Sequence, residues 1–301
     1  MTRNVILPLL VLALATSACG GGSPAIGRSG LIQVVAGQSF WGSIATQLGG
    51  SKASVQSVVT DPNADPHEYE TSTNDARAFA DADFVILNGA GYDDWATRLL
   101  SANASSHRTV LVAADVIGKR AGDNPHFWYA PDYVTRMADQ ITAAYKSIDS
   151  ADSAYFEEQR AAFTAALKPY TQRIADIKAK FSGVPVASTE SIFVYMATAL
   201  GLNLISPTAF MNAVSQGTDP PAAAVIDFQN QISGKQAKVL IYNIQTATAV
   251  TTNVQHLGTQ AGIPIVGVSE TLQPESATFQ DWQLSQLLAL QDALNSSALT
   301  G

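Results

Sequence analysis

The stretch that decides the fold is ADSAYFEEQRAAFTAALKPYTQRIADIKAKF, residues 151–181. It is rich in alanine, and its large apolar side chains recur at the spacing of one helix face: Phe156, Phe163, Leu167, Ile174 and Ile177. The pattern predicts one long helix over 152–181, kinked at Pro169 because proline cannot donate the helical hydrogen bond. Such a helix is long for a crossover between neighbouring strands. We therefore interpret residues 151–181 as a rigid strut between two lobes.

Short apolar runs alternate with helical patterns on both sides of this strut. The predicted strands before it are 31–36, 53–59, 84–87 and 109–113, and those after it are 184–188, 202–205, 238–242 and 264–268. Strands that alternate with helices favour parallel sheets. The expected fold class is α/β, with two doubly wound parallel-sheet lobes joined by one long rigid helix. We expect the N-terminal lobe at 31–150, the linking backbone helix at 151–181 and the C-terminal lobe at 182–301.

The first 30 residues have the pattern of a lipoprotein signal peptide followed by a tether. Arg3 precedes the apolar run 5–15, and small residues lead to Cys19. The run is shorter than the roughly 20 residues of a membrane-spanning helix. It resembles a bacterial lipobox, with Thr16 where leucine is more usual. We expect Cys19 to be lipidated and the protein to be extracytoplasmic, anchored to the cell membrane. The alternative is an ordinary secretion signal with a spare cysteine.

The composition is that of a folded, acidic protein. Of its 301 residues, 47% are hydrophobic and 14% are charged, which argues against intrinsic disorder. Lysine and arginine number 17 against 25 acidic residues, so the net charge is −8. Because no basic run offers phosphate contacts, we expect no nucleic acid as a partner. A single cysteine excludes an intrachain disulfide and a cysteine-based zinc site. We expect a monomer.

Two of the four histidines lie in loops that could hold their imidazole rings in a fixed direction. His67 lies in a proline-rich loop after the second predicted strand, and His126 lies in a loop before the helical pattern at 131–147. Each follows a proline, which restricts the chain beside the ring. We interpret the other two histidines, His107 and His256, as surface residues.

Two glutamates follow predicted strands of the second lobe. Glu190 comes just after strand 184–188, and Glu270 comes just after strand 264–268. Ligands of open parallel sheets bind beyond the carboxyl ends of the strands. Two histidines from one lobe and two glutamates from the other could therefore meet across a cleft. Two neutral imidazoles and two carboxylates suit a divalent transition metal, whereas Ca²⁺ and Mg²⁺ prefer oxygen ligands.

Spacing alone leaves other interpretations open. A histidine in a loop is more often a solvated surface residue than a ligand. Glu190 could be favoured only by the dipole of the helix predicted at 192–200. Candidate residues that would orient the ligands are Asp65, Glu68, Asn88 and the strand end 242–245. For any single one of these residues, helix capping and turn hydrogen bonds are the more common explanation.

Two motifs resemble those of a known family. The segments Pro66-His67-Glu68-Tyr69-Glu70 and Asn124-Pro125-His126-Phe127-Trp128 match Pro-His-x-Tyr-Glu and Asn-Pro-His-x-Trp. These are signatures of the metal-binding solute-binding lipoproteins of bacterial manganese and zinc ABC importers. The likeness covers residues 31–296, with Glu190 and Glu270 at the third and fourth ligand positions. It implies two lobes joined by one long helix, with a metal held between them and delivered to an ABC permease.

The ligand types favour Mn²⁺ over Zn²⁺ as the cargo. Zinc-type members of the family often carry histidine at the third position and a His-rich loop before the second ligand. This chain has Glu190 instead, and residues 103–124 contain only His107. Zn²⁺ can nevertheless bind the same shell more tightly, so selectivity would depend on cavity size and metal supply.

Three alternatives to this function stay open from the sequence. A metal-dependent hydrolase would need an open coordination position for water. A solute-binding protein for an organic metal chelate would need a wide, partly apolar cleft or an arginine cluster. An adhesin-like surface role could be secondary.

Two further expectations concern release of the metal. Protonation of His67 or His126 should weaken binding below about pH 6, given the usual histidine pKa of about 6.5. Because the strut should resist wide opening, we expect release to need local loop movement.

Overall fold

The first lobe is built on four parallel strands in the order β2-β1-β3-β4. The strands are β1 Ile32–Gln38, β2 Ala53–Val59, β3 Phe84–Leu87 and β4 Thr109–Val112. Alternate residues of β3 point into two apolar clusters, one on each face of the sheet, as expected of a parallel sheet covered by helices on both sides. The computed structural model describes residues 30–299, so the predicted signal peptide and Cys19 lie outside the described residues.

The second lobe repeats this strand order as β6-β5-β7-β8. Its strands are β5 Pro185–Ser188, β6 Asn203–Leu204, β7 Leu240–Asn243 and β8 Ile265–Val268. All of its strand pairs are parallel. The predicted fold class of two parallel-sheet α/β lobes is confirmed. In each lobe the strand order reverses beside the first strand, and the carboxyl edge at such a reversal is where ligands of these sheets bind.

Helices cover both sheets. Those of the first lobe are α1 Ser39–Gly49, α2 Thr73–Asp81, α3 Asp94–Ala102, α4 Ala113–Ile117 and α5 Pro131–Ile148. After the linking segment come α8 Val194–Leu200, α9 Thr208–Ser215, α10 Ala222–Ser233, α11 Ala249–Ala261 and α12 Phe279–Leu299. Helices α4 and α9 were not predicted from the sequence, and the five residues of α4 are too few to display a helical period.

The linking segment is two consecutive helices, α6 Ser153–Ala166 and α7 Lys168–Phe181, where one kinked helix was expected. Leu167 separates them with helical dihedral angles, and Pro169 lies in the first turn of α7, where its missing N–H is tolerated. The predicted apolar face is buried at Phe156, Phe163 and Ile177.

This linking segment joins the two lobes into one core. Helix α6 packs against α1 and α5 of the first lobe, and α7 packs against α8 and α12 of the second. One continuous apolar cluster includes residues of both sheets and of both linking helices. Among residues 30–299, no helix is both long and apolar enough to cross a membrane.

Candidate metal centre

The two histidines approach the cleft from loops of the first lobe. His67 lies in a short 3-10 helix, Pro66–Glu68, that follows β2. The side chain of Asp65 caps this turn by accepting the His67 backbone N–H at 2.9 Å. His126 immediately precedes another 3-10 helix, Phe127–Tyr129, and is completely buried.

The His126 ring is oriented by Asn124. Its Nδ1 lies 2.7 Å from Asn124 Oδ1, which can only accept. Nδ1 therefore carries the proton, and the Nε2 lone pair is free for a metal ion. Asn124 in turn donates from Nδ2 to the Ser191 carbonyl oxygen of the second lobe at 2.8 Å.

Glu190 lies just beyond the carboxyl end of β5 and is completely buried. Its Oε2 accepts the backbone N–H of Ile192 at 2.8 Å, and its Oε1 accepts from the Ser191 hydroxyl at 3.1 Å. Glu190 is thus the cap of the 3-10 helix Ser191–Phe193 as well as a candidate ligand. Because the two carboxylate oxygens face different partners, this capping role does not exclude Glu190 as a candidate ligand.

Glu270 lies just beyond the carboxyl end of β8 and is also completely buried. Its Oε2 accepts from the Tyr92 hydroxyl at 2.5 Å, and its Oε1 accepts from Asn243 Nδ2 at 2.7 Å. The same Nδ2 donates to Glu190 Oε2 at 3.3 Å. One amide at the end of β7 therefore orients both carboxylates.

Three of the four candidate ligands come together between the lobes, and the fourth, Glu190, lies beside them. Nε2 of His67 lies 3.3 Å from Glu270 Oε2, and Nε2 of His126 lies 3.7 Å from the same oxygen and 3.5 Å from Glu190 Oε1. Donor atoms about 2.1 Å from a tetrahedrally coordinated ion lie about 3.4 Å apart. The ligand atoms of His67, His126 and Glu270 all lie within 4.8 Å of one another. Glu190 adjoins this group through His126.

The two imidazole nitrogens that face the carboxylates have no hydrogen-bond partner among the described residues. Nε2 of His67 and Nε2 of His126 are both buried and unpaired. Buried polar atoms are normally satisfied, so an unpaired pair of nitrogens calls for an explanation. A cation between these nitrogens and the carboxylate oxygens would satisfy all of them at once.

The electrostatics show how strongly this centre attracts positive charge. Burial is the largest single influence on His67 and lowers its pKa, but the carboxylates of Glu270, Glu190 and Asp65 together raise that pKa further, to about 9. Burial raises the pKa of Glu270, whereas the charge of His67 holds that pKa well below its usual range. Burial and Glu270 raise the pKa of Tyr92 far above 10, so this hydroxyl stays a neutral donor. Without a metal, a proton on His67 is the cation that compensates the buried carboxylates.

A cleft of about 1070 Å³ opens beside the centre and is lined by both lobes. His67 lines it and its side chain is 18% exposed, whereas the side chains of His126, Glu190 and Glu270 are 0% exposed. The cleft wall includes Asp65 and Asp123 from the first lobe and apolar residues such as Met211 from α9. His67 is therefore the one of the four candidate ligands that meets solvent.

Sequence reasoning named some of the orienting residues and missed others. Within 242–245, Asn243 and Gln245 reach the ligands, whereas Ile244 points to solvent. The role of Tyr92 was not predicted. Its position, five residues after the buried strand β3, was the one feature of the sequence that could have indicated it.

The remaining candidates act at a distance from the centre or lie outside it. Asn88 donates to the Pro125 carbonyl oxygen at 2.9 Å and so supports the loop of His126. The side chain of Glu68 is outside the described residues. His107 and His256 are exposed, as predicted.

Comparison with known proteins gives the same family as the motifs did. The family model described as "ZnuA: Zinc-uptake complex component A periplasmic" matches residues 34–293. The chain is 26% identical over 245 residues to the metal ABC transporter substrate-binding lipoprotein FimA of Streptococcus parasanguinis, covering 74% of this chain and 76% of FimA. It is also 26% identical over 240 residues to the manganese ABC transporter substrate-binding lipoprotein PsaA of Streptococcus pneumoniae, covering 71% and 74%.

A solved structure has the same fold. It is a mutant, in manganese-bound form, of a periplasmic metal binding protein from Candidatus Liberibacter asiaticus, with a TM-score of 0.72 and 16% identity over 87% of this chain and 98% of that one. The relatives are substrate-binding proteins of ABC transporters, so the hydrolase alternative has no support among them. Because the family model spans both lobes and both linking helices, the chain belongs to the ZnuA family of periplasmic zinc-uptake components and related metal-binding proteins, which are not enzymes.

Proposed function

We propose that this protein captures a divalent transition-metal ion with His67, His126, Glu190 and Glu270 and delivers it to the permease of an ABC importer. The observation that carries the proposal is the pair of buried Nε2 atoms that make no hydrogen bond and face two buried carboxylates. Among the described residues, the only ion pairs of these carboxylates are with the two imidazoles. A buried carboxylate is costly without a cation, and a metal ion supplies two charges.

The cargo we propose is Mn²⁺ in preference to Zn²⁺. Two carboxylates are hard ligands, which suit Mn²⁺ better than a shell of three histidines would. The name of the similar PsaA protein refers to manganese, whereas the description of the family refers to zinc. Zn²⁺ stands above Mn²⁺ in the Irving–Williams order, so selection in the cell would depend on metal supply.

We further propose that the protein is a monomer, anchored to the outer side of the cell membrane by a lipid on Cys19, and that it binds no nucleic acid. The similar FimA and PsaA proteins are named as lipoproteins. Replacing Cys19 with serine should move the expressed protein from the membrane fraction to the soluble fraction. Retention of the variant in the membrane fraction would argue against the anchor.

Metal titration of the stripped protein tests the main proposal. We expect one Mn²⁺ or one Zn²⁺ to bind per chain at pH 7.5, and a His126→Ala variant to bind at least about 100-fold more weakly. His256→Ala is the matched control, since this histidine is exposed on α11. Equal affinity of His126→Ala and the wild type would overturn the assignment.

A second candidate, binding of an organic metal chelate, is favoured by the size of the cleft. A volume of about 1070 Å³ is at the upper end of the usual range for small-molecule sites, and a bare ion does not need it. Replacing Asn212, an exposed residue of the cleft wall, with arginine would obstruct the cleft without touching a candidate ligand. If the chelate is the cargo, this variant should bind the free ion normally and lose binding of a Zn²⁺–citrate complex. Unchanged binding of both would leave the free ion as the cargo.

A further inference from the structure

Residues 61–67, the His67 segment, connect β2 to the metal centre and are held by side chains of the opposite lobe. Gln245 Nε2 donates to the Ala64 carbonyl oxygen at 2.7 Å. Gln273 Nε2 donates to the Pro62 carbonyl oxygen at 2.8 Å, and the Thr271 hydroxyl donates to the Asp61 carbonyl oxygen at 3.3 Å. The backbone of the His67 segment therefore depends on the second lobe for these hydrogen bonds.

Gln245 differs from the other two because its opposite end holds a second ligand. Its Oε1 accepts the backbone N–H of Glu270 at 2.6 Å and that of Thr271 at 3.0 Å. Its own backbone N–H donates to Asn243 Oδ1 at 3.1 Å. A single buried amide thus ties the segment that carries His67 to the residue that carries the facing carboxylate.

The position of His67 makes this link important for access to the ion. His126, Glu190 and Glu270 are completely buried, whereas His67 lines the cleft. The large apolar core shared by the lobes and the linking helices opposes a wide separation of the lobes. An ion can therefore leave with least disruption by displacement of the His67 segment.

We infer that Gln245 is a positioning residue that latches the His67 segment over the bound ion, so that breaking its hydrogen bond to Ala64 limits the rate of metal release. This inference rests on the proposed metal-binding function and adds the residue that controls release. A single hydrogen bond between amide groups contributes little net free energy. Such a bond can therefore break during delivery of the ion. Loss of a partner that orients a ligand typically costs about 10- to 100-fold in metal affinity.

The test is the rate at which Zn²⁺ leaves the protein when excess chelator is added in a stopped-flow instrument. Gln245→Met removes both ends of the link and keeps the shape of the side chain. Gln245→Glu keeps the acceptor for the Glu270 N–H and loses the donor to Ala64. We expect both variants to release Zn²⁺ at least about tenfold faster, with an association rate within threefold of the wild type.

Gln47→Met is the matched control. Gln47 exchanges amide hydrogen bonds of 3.1 and 2.8 Å with Gln280, which also join the two lobes but lie on α1 and α12, outside the metal centre. This variant should release Zn²⁺ within twofold of the wild-type rate. The proposal that Gln245 acts as a latch is wrong if the folded Gln245 variants release Zn²⁺ at the wild-type rate. It is also wrong if Gln47→Met accelerates release equally. A wild-type protein that binds no metal would instead overturn the proposed function itself.

Discussion

The two lobes have the same strand order, yet they present their halves of the metal centre in different ways. The second lobe places Glu190 and Glu270 just beyond strand ends, completely buried and joined through Asn243 of the same lobe. The first lobe places His67 and His126 on loops beyond its strands, and it relies on the second lobe for part of their support. The half on the second lobe is organised mainly within its own lobe, with one hydrogen bond from Tyr92 of the first lobe, whereas the half on the first lobe depends more on contacts across the cleft.

This difference suggests that the two lobes contribute to metal binding in different ways. The buried carboxylates are held before an ion arrives, because their hydrogen bonds come mainly from their own strand ends and turns. The His67 segment is partly exposed and is held by neutral amides. We expect the second lobe to set most of the affinity and the His67 segment to set the rate of release.

The largest effect should come from the buried carboxylate at the centre of the cluster. Glu270→Gln removes a charged ligand and leaves His67 without its partner, so affinity for Mn²⁺ should fall by about 100- to 1000-fold. Calorimetric titration at pH 7.5 measures this change. The exposed Glu275→Gln is the control with the same chemistry. A loss of less than tenfold in Glu270→Gln would mean that the second lobe does not set affinity.

A smaller effect should come from the amide that joins the two carboxylates. Asn243→Ala removes the donor shared by Glu190 and Glu270, so Mn²⁺ affinity should fall by about 10- to 100-fold. The exposed Asn253→Ala on α11 should leave affinity unchanged. If Asn243→Ala also binds Mn²⁺ like the wild type, the carboxylates are held by their other contacts. Organisation within the second lobe would then not distinguish it from the first.

A change of one pH unit should have the smallest of the three effects, and it is the most diagnostic. Because the pKa of His67 is raised to about 9 in the metal-free protein, a proton competes with the ion well above neutral pH. Affinity for Mn²⁺ should rise by up to about tenfold per pH unit between pH 6.5 and 9. This window lies higher than the one below about pH 6 that the sequence suggested, since the usual histidine pKa takes no account of Glu270.

The stability of the metal-free protein should change in the opposite direction over the same window. A histidine whose pKa is raised on folding stabilises the protein fully below its unfolded pKa of about 6.5, and this contribution is lost as pH rises through about 9. Thermal unfolding of the stripped protein should therefore shift to lower temperature from pH 6.5 to 9, while the affinity increases. A His67→Gln variant should lose most of both trends. Parallel trends in stability and affinity would contradict the account of His67 as the site of proton and metal competition.

Much of the fold could be read from local patterns. Strands β2 and β3 were predicted with their observed bounds, because turn residues bracket both segments. The long linking stretch was recognised from its apolar face, but its division at Leu167 was not, since a helical residue between two helices leaves no mark in the pattern. The predicted domain limits and the lipid on Cys19 stay predictions.

The candidate ligands could be predicted from loop positions and motifs, but the residues that hold them in place could not. Tyr92 and Glu270 are 178 residues apart along the chain and share a hydrogen bond. Gln245 contacts Ala64 across 181 residues. No local period or spacing reports such contacts, because they exist only once two lobes have packed against each other.

The sequence by itself determined the two α/β lobes, the linking helical segment and the four candidate ligands, because periodicity, strand-end positions and short motifs are properties of neighbouring residues. Only the tertiary structure decided that two imidazole nitrogens lie beside buried carboxylates without a hydrogen bond. It also decided that, of the four candidate ligands, only His67 lines the cleft. Finally, it decided that Gln245 ties the His67 segment to Glu270. Burial, hydrogen-bond pairing and the pKa of His67 depend on what surrounds a side chain in space, and those surroundings come from the opposite lobe.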